Sequence, residues 1–162
     1  MTHLMDLIAG DAQEILLAIG TNDLAALDDR SRFPAHVALG GGLDPTWLDL
    51  FAGAARGVVG GDGPGDFLDA RIELSGHPAE EPRSVERVDP AWVAAVARIP
   101  DRQIGAVASG WIDLLEEELG VLARDEKPWI RDLAGRLVAF CRTADRAASG
   151  RAPDVLFAWS LR

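Results

Sequence analysis

The side chains most often used in catalysis or metal binding are few in this sequence and widely spaced. His3, His36 and His77 are the only histidines, and the H-E-x-x-H pattern of zinc proteases is absent. Histidines at such spacing are usually surface or capping residues, although the fold could still bring them together with Asp or Glu. We therefore assign no catalytic residue and no metal ligand from the histidines.

The single cysteine, Cys141, is predicted to be buried rather than reactive. It shares the apolar stripe of a predicted helix with Leu133, Leu137 and Val138. In such surroundings a free cysteine behaves as a small hydrophobic residue, and the reactive thiolate is disfavoured. With one cysteine the chain cannot form an internal disulfide, which is typical of a reducing compartment.

Motifs that hold phosphate or calcium are incomplete. The pattern G-x-x-x-x-G-K-[ST] is absent, and the glycine-rich segment 60–65 does not complete G-x-G-x-x-G because Asp66 takes the place of the last glycine. A calcium loop beginning at Asp62 would place Pro64 at a ligand position and Phe67 where glycine is required. We therefore expect no cofactor.

The chain is strongly acidic, with a formal net charge of −10. This balance argues against binding to nucleic acid or to anionic membranes, because both depend on cationic side chains. It suits a basic protein partner, although solubility alone also explains it. The candidate interaction residues are Asp113, Glu116, Glu117 and Glu118, with Asp28 and Asp29 as further acidic members.

Composition also bears on the source and location of the protein. Lys127 is the only lysine, and the excess of Arg with abundant Ala, Gly and Asp indicates a GC-rich bacterial genome. Residues 1–10 lack the basic region and long apolar stretch of a signal peptide. No apolar run approaches the ~20 residues that span a bilayer. We expect a cytoplasmic protein.

Helices account for most of the predicted structure. Apolar residues recur at helical spacing along the chain, and two helices begin with Asp44-Pro45 and Asp89-Pro90, where the aspartate caps and the proline enters the first turn. The predicted helices are 11–19, 23–30, 44–59, 66–74, 89–99, 101–119 and 125–147.

A period-two pattern at 155–161 predicts a C-terminal strand. A strand needs a partner, for which 33–39 and 84–88 are candidates, and 71–75 is an alternative strand inside a predicted helix. We therefore expect a single domain over 1–162 with an α+β fold, predominantly helical with a small sheet that includes the C-terminal strand. The alternative is an all-α bundle with a docked tail.

The position of the C-terminal strand within the sheet bears on assembly. At a sheet edge it could pair with its counterpart in a second copy and form a homodimer.

The glycine-rich segment 60–65 is the candidate hinge within the domain.

The five tryptophans are unevenly placed. Trp47, Trp92 and Trp111 lie on helical stripes and are predicted core residues. Trp129 and Trp159 are less clearly placed. A core position is expected for them as well, and they are the best candidates for an aromatic that faces a ligand or a second copy.

Several segments after residue 42 carry a pattern seen in a known family. They are 43–53 (LDPTWLDLFAG), the short segment 67–76, and 82–97 (PRSVERVDPAWVAAVA), followed by a long helix and a hydrophobic strand. This order resembles the YfbM-like group of small bacterial proteins of unknown function, although residues 1–30 do not share the likeness. The resemblance implies an α+β fold and no known activity, so no functional residue is transferred.

Two hypotheses for function follow. The first is a non-enzymatic binding protein, for example one that resembles an immunity protein or antitoxin and masks a basic partner. The second is a small-molecule-binding domain or enzyme with a pocket near His36, His77 and Trp47.

Overall fold

The residues of the chain belong to two compact units. The computed structural model describes residues 5–21, 23–39, 45–61, 63–73, 84–146 and 153–159. The first unit takes Met1–Leu43, Arg71–Pro90 and Thr143–Arg162, and the second takes Asp44–Ala70 and Ala91–Arg142. The candidate hinge at 60–65 thus lies inside the second unit rather than at a boundary.

An antiparallel sheet forms the centre of the first unit. Its strands are β1 (Met5–Gly10), β2 (Ala35–Ala38), β3 (Arg71–Glu73), β4 (Ser84–Val88) and β5 (Asp154–Trp159). They lie in the order β2-β1-β5-β4-β3, and each neighbouring pair is antiparallel. The α+β prediction is confirmed, and the all-α alternative is wrong.

The predicted C-terminal strand is the middle strand of this sheet. β5 pairs with β1 along its whole length, from Met5 opposite Trp159 to Gly10 opposite Asp154, and its other side pairs with β4. Both edges of β5 are therefore occupied, and it cannot add a second copy by edge pairing. The homodimer predicted through this strand lacks the edge position it requires.

Strand β1 has no counterpart among the predicted elements. Its sequence, MDLIAG, is a short apolar run, and all six residues are buried. Such runs are typical of strands covered on both faces, where neither face shows the alternation that marks a half-exposed strand. The same reason explains why the period-two pattern of β5 does not separate an inner face from an outer one, since Leu156 and Phe157 are both fully buried.

One face of the sheet is covered by α1 (Ala12–Gly20) and a 3-10 helix (Leu24–Asp28). Asp11 caps α1, because its Oδ1 accepts from the backbone N–H groups of Gln13 and Glu14. The buried residues that pack together on this face come from β1, β4, β5, α1, the 3-10 helix and Phe33: Ile8, Ile15, Ala18, Ile19, Leu27, Phe33, Val85, Leu156 and Ala158.

Helices make up the second unit. They are α2 (Thr46–Val59), α3 (Phe67–Ala70), α4 (Pro90–Ala97), α5 (Asp101–Leu119) and α6 (Glu126–Arg146), whose last turn belongs to the first unit. Trp111 of α5 is fully buried, stacks edge-on against Phe51 of α2, and donates its indole N–H to the carbonyl of Trp47. These contacts confirm that the apolar stripes of α2 and α5 form core.

The loop between α2 and α3 is held by hydrogen bonds from neighbouring side chains. Arg56 donates from Nη1 to the Pro64 carbonyl at 2.8 Å and from Nη2 to Asp66 at 2.7 Å. The indole of Trp92 donates to the carbonyl of Gly65. Because three consecutive residues of the loop are held, it has the contacts of a fixed turn rather than of a free linker.

Candidate functional site

The structure does not test the predicted pocket near His36, His77 and Trp47. His77 lies outside the described residues, and so does Asp44, the predicted cap of α2. His36 belongs to the first unit and Trp47 to the second. The pocket near these residues therefore stays a prediction.

His36 instead lies between two aspartates within the first unit. Its Nε2 is 2.6 Å from Oδ1 of Asp6, and its Nδ1 is 2.8 Å from Oδ1 of Asp28. Asp6 is buried, with 6% of its surface exposed, whereas the side chain of Asp28 is 69% exposed. The three side chains form a row that runs from the interior of the sheet to the surface, which we call the Asp–His–Asp row.

Strand register and the 3-10 helix bring these residues together. On β1 and β2, Ile8 is opposite His36 and Asp6 is opposite Ala38, so His36 and Asp6 are diagonal neighbours on one face. The 3-10 helix lies over the same face with Leu27 in the core, which places Asp28 above the ring.

Arg30 fixes the end of the 3-10 helix beside this row. Its Nη1 donates to the carbonyl of Leu27 at 3.1 Å, and its Nη2 lies 3.7 Å from Asp28. The position of Asp28 thus depends on the packing of the 3-10 helix, on the Arg30 guanidinium and on the His36 ring.

The electrostatics of the row favour a charged ring. Burial of His36 opposes the charge, but the hydrogen bonds and charges of Asp6 and Asp28 outweigh it, and the pKa of His36 lies above its ordinary value. The hydrogen bond from His36 lowers the pKa of Asp28, with a further contribution from Arg30. The pKa shifts of His36 and Asp28 therefore favour the ionised forms of both groups.

Sequence reasoning found two members of the row and missed the third. The sequence predicts His36 as a pocket residue and Asp28 as part of an acidic interaction surface. The signal for Asp6 is a lone carboxylate within an apolar run, which is costly in a strand unless a partner satisfies it.

The predicted acidic residues lie along the last two turns of α5. Asp113, Glu117 and Glu118 are exposed, and within the described part of the chain their side chains make no hydrogen bond or ion pair. Glu116 is different, because its Oε1 lies 2.9 Å from Nζ of Lys127 at the start of α6. That hydrogen bond lowers the pKa of Glu116.

Large apolar side chains are exposed where α5 meets α6. Leu119 is 57% exposed, Val121 is 91% exposed and Trp129 is 37% exposed. The Glu116–Lys127 ion pair ties the start of α6 to the last turns of α5. Leu119 and Val121 follow Glu116 in sequence, and Trp129 follows Lys127. We call Glu117, Glu118, Leu119, Val121 and Trp129 the α5–α6 corner.

Trp159, the other predicted interaction residue, ends β5. It is half-buried and stacks with Phe157 at 6.5 Å between ring centroids. Its buried indole nitrogen has no hydrogen-bond partner among the residues that the structure describes. Its backbone is paired on both sides, by Met5 and by Ser84. Trp159 therefore has no free strand edge for a partner, and its interaction role stays a prediction.

Features of a metal site or of a reactive thiol are not found in the described ranges. No group of three His, Cys, Asp or Glu residues there could hold a metal ion. Cys141 is fully buried, as predicted. Among the same residues no helix has the length and apolar character needed to cross a membrane.

Comparison with known proteins identifies no relative. The chain matches no family model, and no curated protein or solved structure is significantly similar to it. The resemblance to the YfbM-like group stays a prediction.

Proposed function

We propose that this protein is a non-enzymatic binding protein and that the α5–α6 corner contacts a basic protein partner. The observation that carries the proposal is the exposure of Leu119, Val121 and Trp129 beside Glu117 and Glu118. An apolar centre with a charged rim is the usual composition of a protein interface.

The apolar part of the corner would supply most of the affinity. Exposed apolar residues that occur singly are normal on a protein surface, but Leu119 and Val121 are exposed two positions apart, and Trp129 is exposed eight positions further along the chain. Tryptophan is enriched among the residues that dominate binding energy, which favours Trp129 as the anchor.

The acidic part of the corner would select the partner by charge. Asp113 and Glu117 are one turn apart on α5, and neither is neutralised by a described residue. Glu116 already pairs with Lys127, so it adds less charge than the sequence suggests. Complementary charge speeds encounter with a basic surface and rejects acidic ones.

An immunity- or antitoxin-like role is the concrete form of this proposal. Such a protein would mask a basic partner in the bacterial cytoplasm. The single cysteine and the arginine-rich composition support that location and source.

A pull-down from the native host with matched variants tests the proposal. The corner variant Leu119→Ser/Val121→Ser removes exposed apolar surface, and Leu17→Ser/Leu68→Ser removes comparable exposed surface elsewhere. Because all four side chains are exposed, folding should be little affected.

We expect the wild type and the control variant to retain the same protein, with a net positive charge. The corner variant should bind it at least ~10-fold more weakly, as expected when residues at the centre of an interface are removed. Glu117→Gln/Glu118→Gln should weaken binding mainly at low salt. Recovery of no protein, of an acidic one, or of one that all variants bind equally would count against the proposal.

A further inference from the structure

The Asp–His–Asp row requires a doubly protonated ring. Carboxylate oxygens accept hydrogen bonds, so a ring nitrogen that faces one must donate. Both nitrogens of His36 face a carboxylate, at 2.6 Å and 2.8 Å. A neutral imidazole has one N–H and could satisfy only one of the two aspartates.

We propose that the Asp–His–Asp row is a pH-sensitive latch. The charged ring of His36 holds Asp28, and with it the 3-10 helix, against the sheet. Loss of one ring proton releases Asp28 while Asp6 stays bound. The row links β2, which is an edge strand of the sheet, to a 3-10 helix that also packs on the core through Leu27, with Leu24 and Ala26 partly buried beside it.

The burial of the two aspartates decides which of them is released. Asp6 is 6% exposed in the second strand of the sheet, where an unpaired carboxylate would lack both water and a donor. Asp28 is 69% exposed and can exchange the ring for water. The neutral ring should therefore keep its proton on Nε2, toward Asp6, and present a lone pair to Asp28.

Among the described residues, Asp6 and Asp28 are the charged groups in direct contact with the ring, so the release of Asp28 before Asp6 depends on these two. Asp6 on β1 and Asp28 on the 3-10 helix face it directly, and Arg30 lies 3.7 Å from Asp28. The charged side chains on the same sheet face of β4 and β5 are Arg87 and Asp154, which lie 3.7 Å apart as an ion pair. Helix α1 carries Glu14, which is exposed.

The direction of the pH dependence follows from the raised pKa of His36. Burial lowers that pKa, and the two aspartates raise it by more. A group whose pKa is higher in the folded state stabilises that state fully below its unfolded pKa, and the stabilisation is lost as pH rises through the folded value. The latch is therefore closed below the folded-state pKa of His36 and opens as pH rises through it.

NMR of the uniformly nitrogen-15-labelled full chain tests the latch. The ring nitrogens of His36, assigned with the variant His36→Gln, are followed between pH 6 and pH 10 together with amide exchange. We expect titration above the ordinary histidine pKa of about 6.5, with the neutral ring protonated on Nε2. Exchange at residues 24–30, corrected for intrinsic pH dependence against α1, should rise at least ~10-fold through the same transition.

Two variants separate the latch from general loosening at high pH. In Asp28→Asn the side-chain amide can accept from the charged ring or donate to the neutral one, so the 3-10 helix should stay protected throughout. Asp29→Asn is the control, because Asp29 bonds Ser31 and should leave the wild-type dependence unchanged. Titration of His36 at or below 6.5, a neutral ring protonated on Nδ1, or equal pH dependence in Asp28→Asn and the wild type would overturn the proposal.

Discussion

Arg142 near the end of α6 forms an ion pair with Asp101, the first residue of α5. The same guanidinium donates from Nε to the carbonyl of Ala97 and from Nη2 to that of Ile99. Carbonyls at the end of a helix have no partner within it. Arg142 therefore supplies donors to carbonyls at and just after the end of α4 and pairs with the carboxylate of Asp101 at the start of α5.

Replacing Arg142 with lysine should destabilise the protein by about 1–3 kcal/mol, because one ammonium group cannot reach all three acceptors in the geometry of a planar guanidinium. Urea denaturation measures the change. Arg146→Lys, at an exposed position of the same helix, is the control and should change stability by less than about 0.5 kcal/mol. Equal stability of both variants would show that the carbonyls of α4 do not need Arg142.

Gly63→Ala should destabilise the second unit. A Cβ at this position would lie 2.8 Å from the Cα of Arg56, which is backbone and cannot move aside cheaply. We expect a loss of about 1–3 kcal/mol. Gly61→Ala is the matched control in the same loop, because a Cβ there meets nothing within 4 Å. Thermal unfolding of the pair distinguishes local crowding from a general cost of alanine in the loop.

The cap of α1 offers a third test. Asp11→Ala removes the acceptor for the N–H groups of Gln13 and Glu14 and should cost about 1 kcal/mol. Asp11→Asn keeps an oxygen in place and should cost less.

The predicted cap Asp89 can be compared in the same way, with a loss of about 1 kcal/mol expected for Asp89→Ala.

Cys141 should react slowly with a thiol reagent in the folded protein and quickly in denaturant, since its side chain is fully buried. Leu137 lies one turn away and is equally buried, so Leu137→Ala should cost about 2–5 kcal/mol. It should also speed the labelling of Cys141. The exposed neighbour Arg136→Ala should do neither. Rapid labelling of the wild type would contradict the burial of this stripe.

Deletion of residues 155–162 should abolish the cooperative unfolding of the first unit, because it removes the strand to which both β1 and β4 are paired. Binding of a hydrophobic dye reports the exposed strands. Deletion of 160–162 alone leaves β5 whole and serves as the control. A protein that lacks 155–162 and yet unfolds like the full chain would refute the central position of β5.

Local patterns in the sequence predict the long helices and some strands well. The segment 66–74, predicted as one helix with 71–75 as an alternative strand, is instead α3 (Phe67–Ala70) followed by β3 (Arg71–Glu73). The predicted bounds of α5 and β4 agree with the structure, because regular apolar spacing and turn residues define both elements. Helix α6 differs from its prediction by one residue at each end.

The sheet and the Asp–His–Asp row depend on long-range pairing, which local patterns do not record. β1 reads as a featureless apolar run because both of its faces are buried. Asp6 and His36 become neighbours only through the register of β1 with β2. The middle position of β5 is likewise decided by β1, which local spacing did not identify as a strand.

The pairing of Met5 with Trp159 also has a consequence for how the chain folds. The middle strand β5 and its neighbour β1 are separated by nearly the whole sequence, whereas the helices of the second unit are formed from segments that lie between them. Contacts between residues distant in sequence form slowly, because a long loop must close before they contribute. Refolding should therefore gain helix before the centre of the sheet is joined, and until then β1, β4 and β5 expose apolar strands that can pair with other molecules.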